Sequence, residues 1–310
     1  MSEAGLHVAT PLWESAPLGR ALGAEVWLKM EALQPTGSFK LRGHGAACRA
    51  ARERGGRRVV CSSGGNAGLA VAYAARRLGL EALVVVPATT PESMRERIRS
   101  EGGEVLEHGA VWDDAHGRAC ELAAEEGTVY VHPFDDPLVW EGHAGLVEEI
   151  AETGVRPDCM VVAVGGGGLM CGVLEGLEAV GWGEVEVVAV ETDGTASLAA
   201  AMEAAEAVSL ERIDSLATSL GARRVAERAL AWTRRRPVRS WIASDEQAVE
   251  ACVRFAADHR VLVEPACGAA LAAVYERAGV LAGHERVCVV VCGGAGVDTE
   301  RLAAWRAGAK

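Results

Sequence analysis

Lys40 is the first side chain in this sequence whose setting suggests chemistry. It follows a Thr-Gly-Ser turn in the segment TGSFKLRG, at residues 36–43, and lies between Phe39 and Leu41. A lysine amine acts as a nucleophile or a base near neutral pH when desolvation favours its neutral form. Phe39 and Leu41 could supply that desolvation, although a lone lysine is more often a solvated surface residue. From the residues alone, catalysis and a surface position both stay open.

A serine- and glycine-rich turn, SSGGNAG at residues 62–68, is a second candidate site. It precedes a stretch of helical composition, so its backbone N–H groups would lie at a helix N-terminus. The hydroxyl groups, the N–H groups and the helix dipole all favour an anion such as a carboxylate. The alternative is that Ser62 or Ser63 simply caps the helix, and capping is compatible with binding.

Four consecutive glycines at residues 165–168 form another turn between an apolar run and a helical stretch. Glycine backbones approach a ligand closely and the helix N-terminus adds N–H donors, so this turn predicts a phosphate site. A dinucleotide-binding fold is a competing interpretation, because Glu191 closes the next apolar run 23 residues after Gly168. The G-x-G-x-x-G pattern is absent, however, since Met170 and Cys171 occupy its sixth positions. A merely tight turn is the other alternative.

Apolar runs alternate with helical stretches along most of the chain. The runs lack polar alternation, which predicts strands of a parallel sheet with helices on both faces. The predicted strands are 58–61, 82–86, 159–164, 185–190 and 287–292, and the predicted helices are 66–78, 91–100, 169–180, 246–258 and 267–277. This alternation predicts an α/β fold. Ligands of open α/β sheets bind at the carboxyl ends of strands, so the glycine-rich turns at 62–68, 165–168 and 293–296 suggest one composite site.

The composition disfavours several classes of function. The chain has 310 residues, half of them hydrophobic, and its formal net charge of −12 argues against a nucleic-acid partner. None of its nine cysteines forms a C-x-x-C pair, and no Cys/His cluster has the spacing of a zinc site. No signal-peptide pattern is recognisable, and no apolar stretch approaches the roughly 20 residues that span a membrane. We therefore expect a cytoplasmic protein with reduced thiols and no membrane partner.

Five segments occur in an order and spacing that resemble one enzyme family. They are TGSFKLRG, SSGGNAG, GGGGL, VEPACGAALAAVYE and VVCGG, and HPFDDPLVWEGHA at 132–144 adds to the likeness. Together they resemble the serine/threonine dehydratases, most of all the liver-type L-serine dehydratases, over almost the whole chain. The resemblance implies a fold-type II pyridoxal-phosphate enzyme, tryptophan synthase β-like, with two open parallel-sheet α/β domains. The expected domains are 1–39 with 140–310, which binds the cofactor, and a smaller domain, 40–139, which holds the substrate-carboxylate loop.

The same resemblance implies an activity and a set of site residues. The activity is β-elimination of L-serine, and of L-threonine, to pyruvate or 2-oxobutyrate and ammonia, by a homodimer. Lys40 matches the catalytic lysine that binds pyridoxal 5′-phosphate covalently, and Phe39 matches the residue packed against the cofactor ring. Asn66 matches the asparagine at the cofactor's 3′-oxygen, and Cys292 the residue facing the pyridine nitrogen. The phosphate cup matches Gly165, Gly166, Gly167, Gly168 and Leu169, and the substrate-carboxylate loop matches Ser63, Gly64, Asn66 and Ala67.

A potassium ion is a further expectation from the resemblance. Its site matches Gly165, Glu191, Thr195, Ser197, Leu220 and Ala222, several of them through backbone carbonyls. For Glu191 the alternative is a capping or salt-bridged carboxylate, and for Cys292 it is a buried strand-end thiol.

Gly64 departs from the family pattern, because some liver-type enzymes have alanine at this position. Glycine leaves more room and a looser loop, which weakens the alignment of the substrate. On this basis we expect Gly64→Ala to raise kcat for serine.

Three alternatives to a dehydratase remain. Within the same fold they are a serine racemase and a cysteine synthase-like β-replacement enzyme, and outside enzymology a cofactor-binding paralogue without activity. A β-replacement enzyme needs room for a second substrate, and residues 261–270 are more similar to dehydratases. The presence of Lys40, Asn66 and the glycine cup argues against lost chemistry.

Overall fold

A computed structural model describes residues 5–308 of the chain. The chain divides into two compact units. The first unit comprises Met1–Val8 with Gln34–His143, and the second comprises Ala9–Leu33 with Ala144–Lys310. The smaller domain predicted from the sequence, 40–139, lies within the range of the first unit.

Ten strands and twelve α-helices alternate along the described residues. The strands are β1 (Leu12–Glu14), β2 (Glu25–Lys29), β3 (Arg58–Cys61), β4 (Glu81–Val86), β5 (Glu104–Glu107), β6 (Thr128–Tyr130), β7 (Cys159–Ala163), β8 (Glu186–Thr192), β9 (Val238–Ala243) and β10 (Arg286–Val290). The helices are α1 (Ala16–Leu22), α2 (Lys40–Glu53), α3 (Asn66–Leu78), α4 (Glu92–Ser100), α5 (Trp112–Leu122), α6 (Pro137–Glu152), α7 (Gly168–Ala179), α8 (Ser197–Ala204), α9 (Glu227–Thr233), α10 (Asp245–His259), α11 (Pro265–Tyr275) and α12 (Thr299–Arg306).

The first unit is built on a four-stranded parallel sheet in the order β5-β4-β3-β6. Side chains of β3 alternate between its two faces. Val59 and Cys61 pack among residues of α2 and α3, whereas Val60 packs with Ala115 and Ala119 of α5. Both faces of the sheet are therefore buried, which explains why the strand sequence is apolar at successive positions.

The second unit contains a six-stranded sheet in the order β1-β2-β10-β7-β8-β9, and β1 alone runs antiparallel to its neighbour. Helix α11 is buried along its whole length. Its small residues let α10 come close, since a Cβ on Gly268 would lie only 2.1 Å from the Ala248 carbonyl oxygen. The polar residues of this unit are consequently excluded from the space between the sheet and α11.

The α/β fold and all the strands and helices predicted from the sequence are confirmed, with bounds that differ by at most two residues. The strands that the sequence patterns did not predict, β1, β2, β5, β6 and β9, are short or contain charged residues. Helix α2 was also not predicted, although it begins at Lys40. Within residues 5–308, no helix is both long and apolar enough to cross a lipid bilayer.

Candidate active site

The amine of Lys40 lies at the carboxyl ends of β3 and β6 in the first unit. Lys40 is the first residue of α2, after a turn in which Gly37 has a φ of +76°. Its Nζ donates a hydrogen bond to the Pro133 carbonyl oxygen at 2.5 Å and lies 5.2 Å from the centroid of the Phe39 ring. Burial raises the pKa of the Cys61 thiol, at the end of β3, to about 12, and the charge of Lys40 partly opposes this rise. Lys40 thus lies where open α/β sheets bind their ligands.

Only three lysines occur in the chain, at positions 29, 40 and 310. Lys29 is 1% exposed, forms an ion pair with Glu149 and donates to the Thr10 carbonyl oxygen at 2.8 Å. Its amine is therefore held in the second unit by a carboxylate. Lys310 is the final residue and lies outside the described residues. Lys29 also lies at the carboxyl end of a strand, β2, but its amine is engaged by a carboxylate, whereas the amine of Lys40 donates to a backbone carbonyl oxygen.

Three uncharged histidines lie beside Lys40. The Nδ1–H of His44 donates to the Lys40 carbonyl oxygen at 2.8 Å, and the Phe39 and His143 rings are 4.9 Å apart. Burial lowers the pKa of His44 and that of His132 to about 3, and it lowers the pKa of His143 well below its usual value. The charge of Lys40 lowers each of these pKa values further. The amine therefore lies beside buried, neutral imidazole rings.

His132 has a defined tautomer, because its Nδ1 accepts two backbone hydrogen bonds. The N–H groups of Phe134 and Asp135 donate to it at 3.2 and 2.8 Å. These bonds fold the segment after β6 into a turn that aims the Pro133 carbonyl at Lys40. None of His44, His132, Pro133 and His143 was predicted from the sequence as a site residue. The spacing of four between Lys40 and His44, on one helix face, was the signal that could have found His44.

The serine-rich loop at 62–68 is held by its two serines in different ways. Ser62 is fully buried, and its hydroxyl bonds to the Tyr130 hydroxyl at 2.7 Å, which in turn lies 2.7 Å from Nδ1 of His116. Ser63 accepts a hydrogen bond from the Gly65 N–H at 3.3 Å. Neither serine is the N-cap of α3, because Gly65 occupies that position without a side-chain cap. The first-turn N–H groups of α3 therefore do not receive a serine cap.

Two further predicted residues of this loop begin α3. Asn66 is its first residue and is 8% exposed, and Ala67 follows at 2%. A Cβ at the next position, Gly68, would lie 2.0 Å from the Ser63 carbonyl oxygen, so only glycine allows the loop to fold back onto the helix. The structure thus brings Ser63, Asn66 and Ala67 together around one helix N-terminus.

Thr90 occupies the space in front of Gly64. A Cβ on Gly64 would lie 2.4 Å from Cγ2 and 2.5 Å from Oγ1 of Thr90. Thr90 is not free to withdraw, because Nε of Arg95 donates to its carbonyl oxygen and its own N–H donates to the Pro87 carbonyl oxygen, both at 3.0 Å. The space in front of Gly64 is therefore occupied by Thr90 and not open, which argues against the gain in serine turnover expected from an added methyl group.

In the second unit, the glycine turn after β7 forms a cradle without side chains. Gly167 has a φ of +90°, and a Cβ there would lie 2.5 Å from the Ala229 side chain. A Cβ on Gly165 would lie 2.9 Å from the Leu220 Cα. Gly168 and the buried Leu169 then begin α7, a helix of twelve residues. Backbone N–H groups at this N-terminus suit an anion, as predicted from the sequence.

Cys292 lies after β10 and is 5% exposed. Its thiol is hydrogen-bonded to that of Cys267, and this bond, burial and the nearby Glu264 raise the pKa of Cys292 well above its usual value. The thiol therefore stays protonated. A partner for Cys292 on α11 was not foreseen from the sequence.

The six residues matched to a potassium site fall into two groups at the carboxyl ends of β7 and β8. Gly165 lies against Leu220, whose carbonyl oxygen accepts the Ala222 N–H at 2.8 Å. The Thr195 carbonyl oxygen accepts the Ser197 N–H at 2.8 Å, and the buried Ser197 hydroxyl has no hydrogen-bond partner among the residues described.

Glu191 caps α8 with both carboxylate oxygens. They accept the N–H groups of Leu198 and Ala199 at 2.7 and 2.8 Å. Burial raises the pKa of Glu191 to about 7, although these backbone hydrogen bonds oppose the rise. The capping role, which the sequence left as an alternative, is therefore present in the structure.

Comparison with known proteins identifies the family. Residues 4–293 match the family of pyridoxal-phosphate dependent enzymes. The chain belongs to this family. It is 47% identical to human L-serine dehydratase/L-threonine deaminase, over 98% of this chain and 96% of that protein. Among solved structures, it resembles a fungal L-serine ammonia-lyase from Rhizomucor miehei, with 37% identity, a TM-score of 0.93 and coverage of 99% of this chain and 100% of that one. Maize serine racemase is 25% identical, with a TM-score of 0.89 and coverage of 97% and 92%.

The fold class predicted from the sequence, that of the fold-type II pyridoxal-phosphate enzymes, is confirmed by these comparisons. The residues within each unit also fit the cofactor. The glycines at 165–168 present backbone without side chains, and the turn leads into a helix N-terminus. A neutral Cys292 thiol suits an unprotonated pyridine nitrogen, which a carboxylate would instead protonate.

Replacement of Gly64 by alanine tests the packing against Thr90. We expect the added methyl group to displace the loop, to lower the free energy of unfolding by about 1–3 kcal/mol and to reduce kcat/KM for serine by up to about 100-fold. The double variant Gly64→Ala/Thr90→Ala should recover most of both losses, and Thr90→Ala alone is the control. Higher serine turnover in Gly64→Ala with Thr90 present would contradict this explanation.

The buried histidines predict acid sensitivity of the first unit. Their pKa values are lower in the folded state than in the unfolded state, so the unfolded state binds more protons below pH 6.5. Their contribution to stability is complete above that pH and is lost as the pH falls towards about 3.

His132→Asn isolates the contribution of one of these histidines. The asparagine side-chain oxygen can accept hydrogen bonds from the Phe134 and Asp135 N–H groups, and asparagine does not titrate. The free energy of unfolding, measured with urea between pH 5 and 7, should depend on pH less steeply in this variant than in wild type. The difference in slope should be up to about 1.4 kcal/mol per pH unit. His108→Asn, at an exposed position, is the matched control and should leave the slope unchanged. Equal slopes in wild type and His132→Asn would show that His132 is charged in the folded protein.

Proposed function

We propose that this protein is a pyridoxal-phosphate-dependent L-serine ammonia-lyase that also deaminates L-threonine. The products are pyruvate or 2-oxobutyrate, and ammonia. The observation that supports this most directly is the setting of Lys40, whose amine lies beside three neutral histidines. The 47% identity to human L-serine dehydratase/L-threonine deaminase, over nearly the full length of both, supports the choice of substrates.

Residues of both units have binding roles in this proposal. Lys40 binds the cofactor covalently, Phe39 packs on its ring and Asn66 bonds to its 3′-oxygen. The phosphate group is held by Gly165, Gly166, Gly167, Gly168 and Leu169, and the ring nitrogen by Cys292. The substrate carboxylate is held by Ser63, Gly64, Asn66 and Ala67, where the N-terminus of α3 favours an anion.

Proton transfer at the substrate Cα is the task of Lys40. The bound cofactor supplies an electron sink for the electron pair that remains at Cα. A neutral Lys40 amine accepts the Cα proton as the general base. Buried, uncharged histidines keep the surroundings of that amine weakly polar, and the Pro133 carbonyl oxygen orients it through the hydrogen bond at 2.5 Å. Cys292, which stays a neutral thiol, does not protonate the ring nitrogen, and this favours elimination over transamination.

The rarity of lysine makes the Lys40 assignment directly testable. Borohydride reduction of the yellow holoenzyme should place the pyridoxyl group on Lys40, as read by mass spectrometry of its peptides. Lys40→Ala should abolish this label and reduce pyruvate formation from serine by at least about 100-fold, because the general base is lost. Lys40→Arg is the matched variant that keeps a cation, and it should be equally inactive. A label on Lys29 or Lys310 would refute the assignment.

The competing functions differ in their products. A serine racemase forms D-serine, a β-replacement enzyme forms a new β-substituted amino acid when sulfide is added, and an inactive cofactor-binding paralogue forms neither. Maize serine racemase is 25% identical to this chain, against 37% for the fungal ammonia-lyase, so the dehydratase is favoured. A panel of serine, threonine and serine with sulfide, assayed for keto acids, D-serine and replacement product, separates the four functions.

The proposal includes a potassium ion behind the phosphate cradle. Its ligands would be carbonyl oxygens of Gly165, Leu220 and their neighbours together with the Ser197 hydroxyl, which is buried without a partner among the described residues. Such an all-oxygen set suits a hard cation. Glu191 contributes charge and holds α8 in place, since both its oxygens already accept backbone N–H groups.

Salt exchange tests this ion. Activity and melting temperature should be higher in potassium chloride than in tetramethylammonium chloride at equal ionic strength, because an ion that binds the folded state stabilises it. Ser197→Ala should weaken the response to potassium, whereas Ser100→Ala, at an exposed position, should not. Equal values in potassium, sodium and tetramethylammonium would rule out the site.

The remaining parts of the proposal are a homodimer and a cytoplasmic location. The nine cysteines all fall within the described residues and are all free, which accords with a reducing compartment. Light scattering on the holoenzyme should give twice the mass of one chain.

A further inference from the structure

Three potential metal ligands meet at the amino edge of the second unit's sheet. Cys159 begins β7, and it is the register partner of Glu186, which begins the adjacent strand β8. His284 lies two residues before β10, the strand on the other side of β7. One ligand atom from each residue lies within 4.8 Å of the other two. Among residues 5–308, no other group of three or more such side chains is arranged in this way.

The imidazole of His284 is already oriented as in a metal site. Its Nδ1 lies 3.4 Å from Oδ1 of Asp158, and its Nε2 lies 3.1 Å from Oε1 of Glu186. Asp158 is itself held, because its Oδ2 accepts the N–H groups of Glu285 and Arg286 at 2.8 and 3.1 Å. A carboxylate on one ring nitrogen, with the other nitrogen turned to the ligands, is the usual second layer of contacts around a histidine-bound metal.

We infer that this cluster is a binding site for a zinc-like divalent cation. The ligands are Cys159 Sγ, a carboxylate oxygen of Glu186 and His284 Nε2, and a water molecule completes a tetrahedron. Asp158 positions the imidazole without binding the ion. Ligands bound to one zinc ion at roughly 2.0–2.3 Å lie about 3.3–3.8 Å apart, so the three atoms need to close by only about 1 Å.

The chemistry of the three ligands selects the class of metal. A thiol, an imidazole and a single carboxylate are a mixed S, N and O set, which favours zinc or cobalt over the hard ions magnesium and calcium. Burial raises the pKa of the Cys159 thiol, and the carboxylates of Glu186 and Asp158 raise it further. A bound dication would offset this cluster of negative charge and take the place of the thiol proton.

Glu186 and His284 are 19% and 15% exposed, so solvent reaches two of the three ligands. A cavity of about 320 Å³ adjoins Asp158 and is lined also by Glu184 and Arg286. Arg239 competes with a cation for the Glu186 carboxylate, because its Nε donates to Oε1 of Glu186 at 2.7 Å. Arg239 is 45% exposed, so its side chain can turn into solvent when a cation binds.

This metal site is separate from the phosphate cradle of the same unit. Cys159 begins β7 and Gly165 follows its end, so the two sites lie at opposite ends of one strand. Cation binding at Cys159 therefore does not require any residue that we assign to the cofactor or the substrate.

Cobalt and zinc titrations of the reduced holoenzyme test the inference. We expect one Co²⁺ per chain, a thiolate-to-cobalt charge-transfer band in the near-ultraviolet difference spectrum, and displacement by Zn²⁺. Cys159→Ser should lose the band and His284→Gln should lose tight binding, both with serine turnover retained. Asp158→Asn should weaken binding by roughly 10–100-fold while the band remains, because it acts through His284.

Cys120→Ser is the matched control. Cys120 is the exposed cysteine among the nine and lies 3.8 Å from a ring nitrogen of His116, so it is the alternative source of a thiolate–imidazole signal. The band should persist unchanged in this variant. A band that is lost in Cys120→Ser but kept in Cys159→Ser, or the absence of stoichiometric binding to wild type, would overturn the proposal.

A measurement on the wild type alone guards against variants that do not fold. X-ray absorption at the zinc edge of the protein loaded with one equivalent of Zn²⁺ should show one sulfur ligand with nitrogen and oxygen ligands. A shell of nitrogen and oxygen alone would mean that Cys159 is not a ligand, and the three side chains would then be only an ion-pair network.

Discussion

Helices cover both faces of the first unit's sheet, and this constraint determines where the polar chemistry of that unit can lie. Val59, Val60 and Cys61 of β3 pack into two different apolar clusters, so none of these three positions can hold a charged group without burying it. Functional side chains are therefore confined to the strand ends. The strands β7 and β10 of the second unit are buried in the same way, and its candidate sites also lie at strand ends.

Burial also sets the electrostatics at the carboxyl ends. The three histidines beside Lys40 lose their charge because they are desolvated, and the Cys292 thiol keeps its proton because of its hydrogen bond to Cys267 and its burial. An enzyme that removes a proton with a lysine amine needs that amine uncharged at neutral pH. The first unit places uncharged rings beside the Lys40 amine, and the Pro133 carbonyl oxygen accepts its hydrogen bond. The same desolvation makes the histidines a source of instability in acid.

The amino ends of the second unit's sheet differ in their surroundings. They lie beside a solvent-filled cavity and contain paired charges, such as Glu186 with Arg239, in place of desolvated neutral groups. Ion pairs at such half-exposed positions contribute little to stability, which leaves their members available for another partner. A cation site at this edge would thus use residues that neither the core nor the chemistry at the carboxyl ends requires.

The sequence by itself determined the apolar strands β3, β4, β7, β8 and β10, the helices that follow them and the glycine turns, because each depends on contacts between near neighbours in the chain. It also singled out Lys40, since an apolar setting is visible in the adjacent residues. Only the tertiary structure decided which residues from elsewhere in the chain contact these groups. Thr90 closes the space at Gly64 from 26 positions away, Glu191 caps a helix that begins six residues later, and Cys159 meets His284 across 125 positions. Such contacts depend on strand order and register, and no local pattern of residue types records which strands become neighbours.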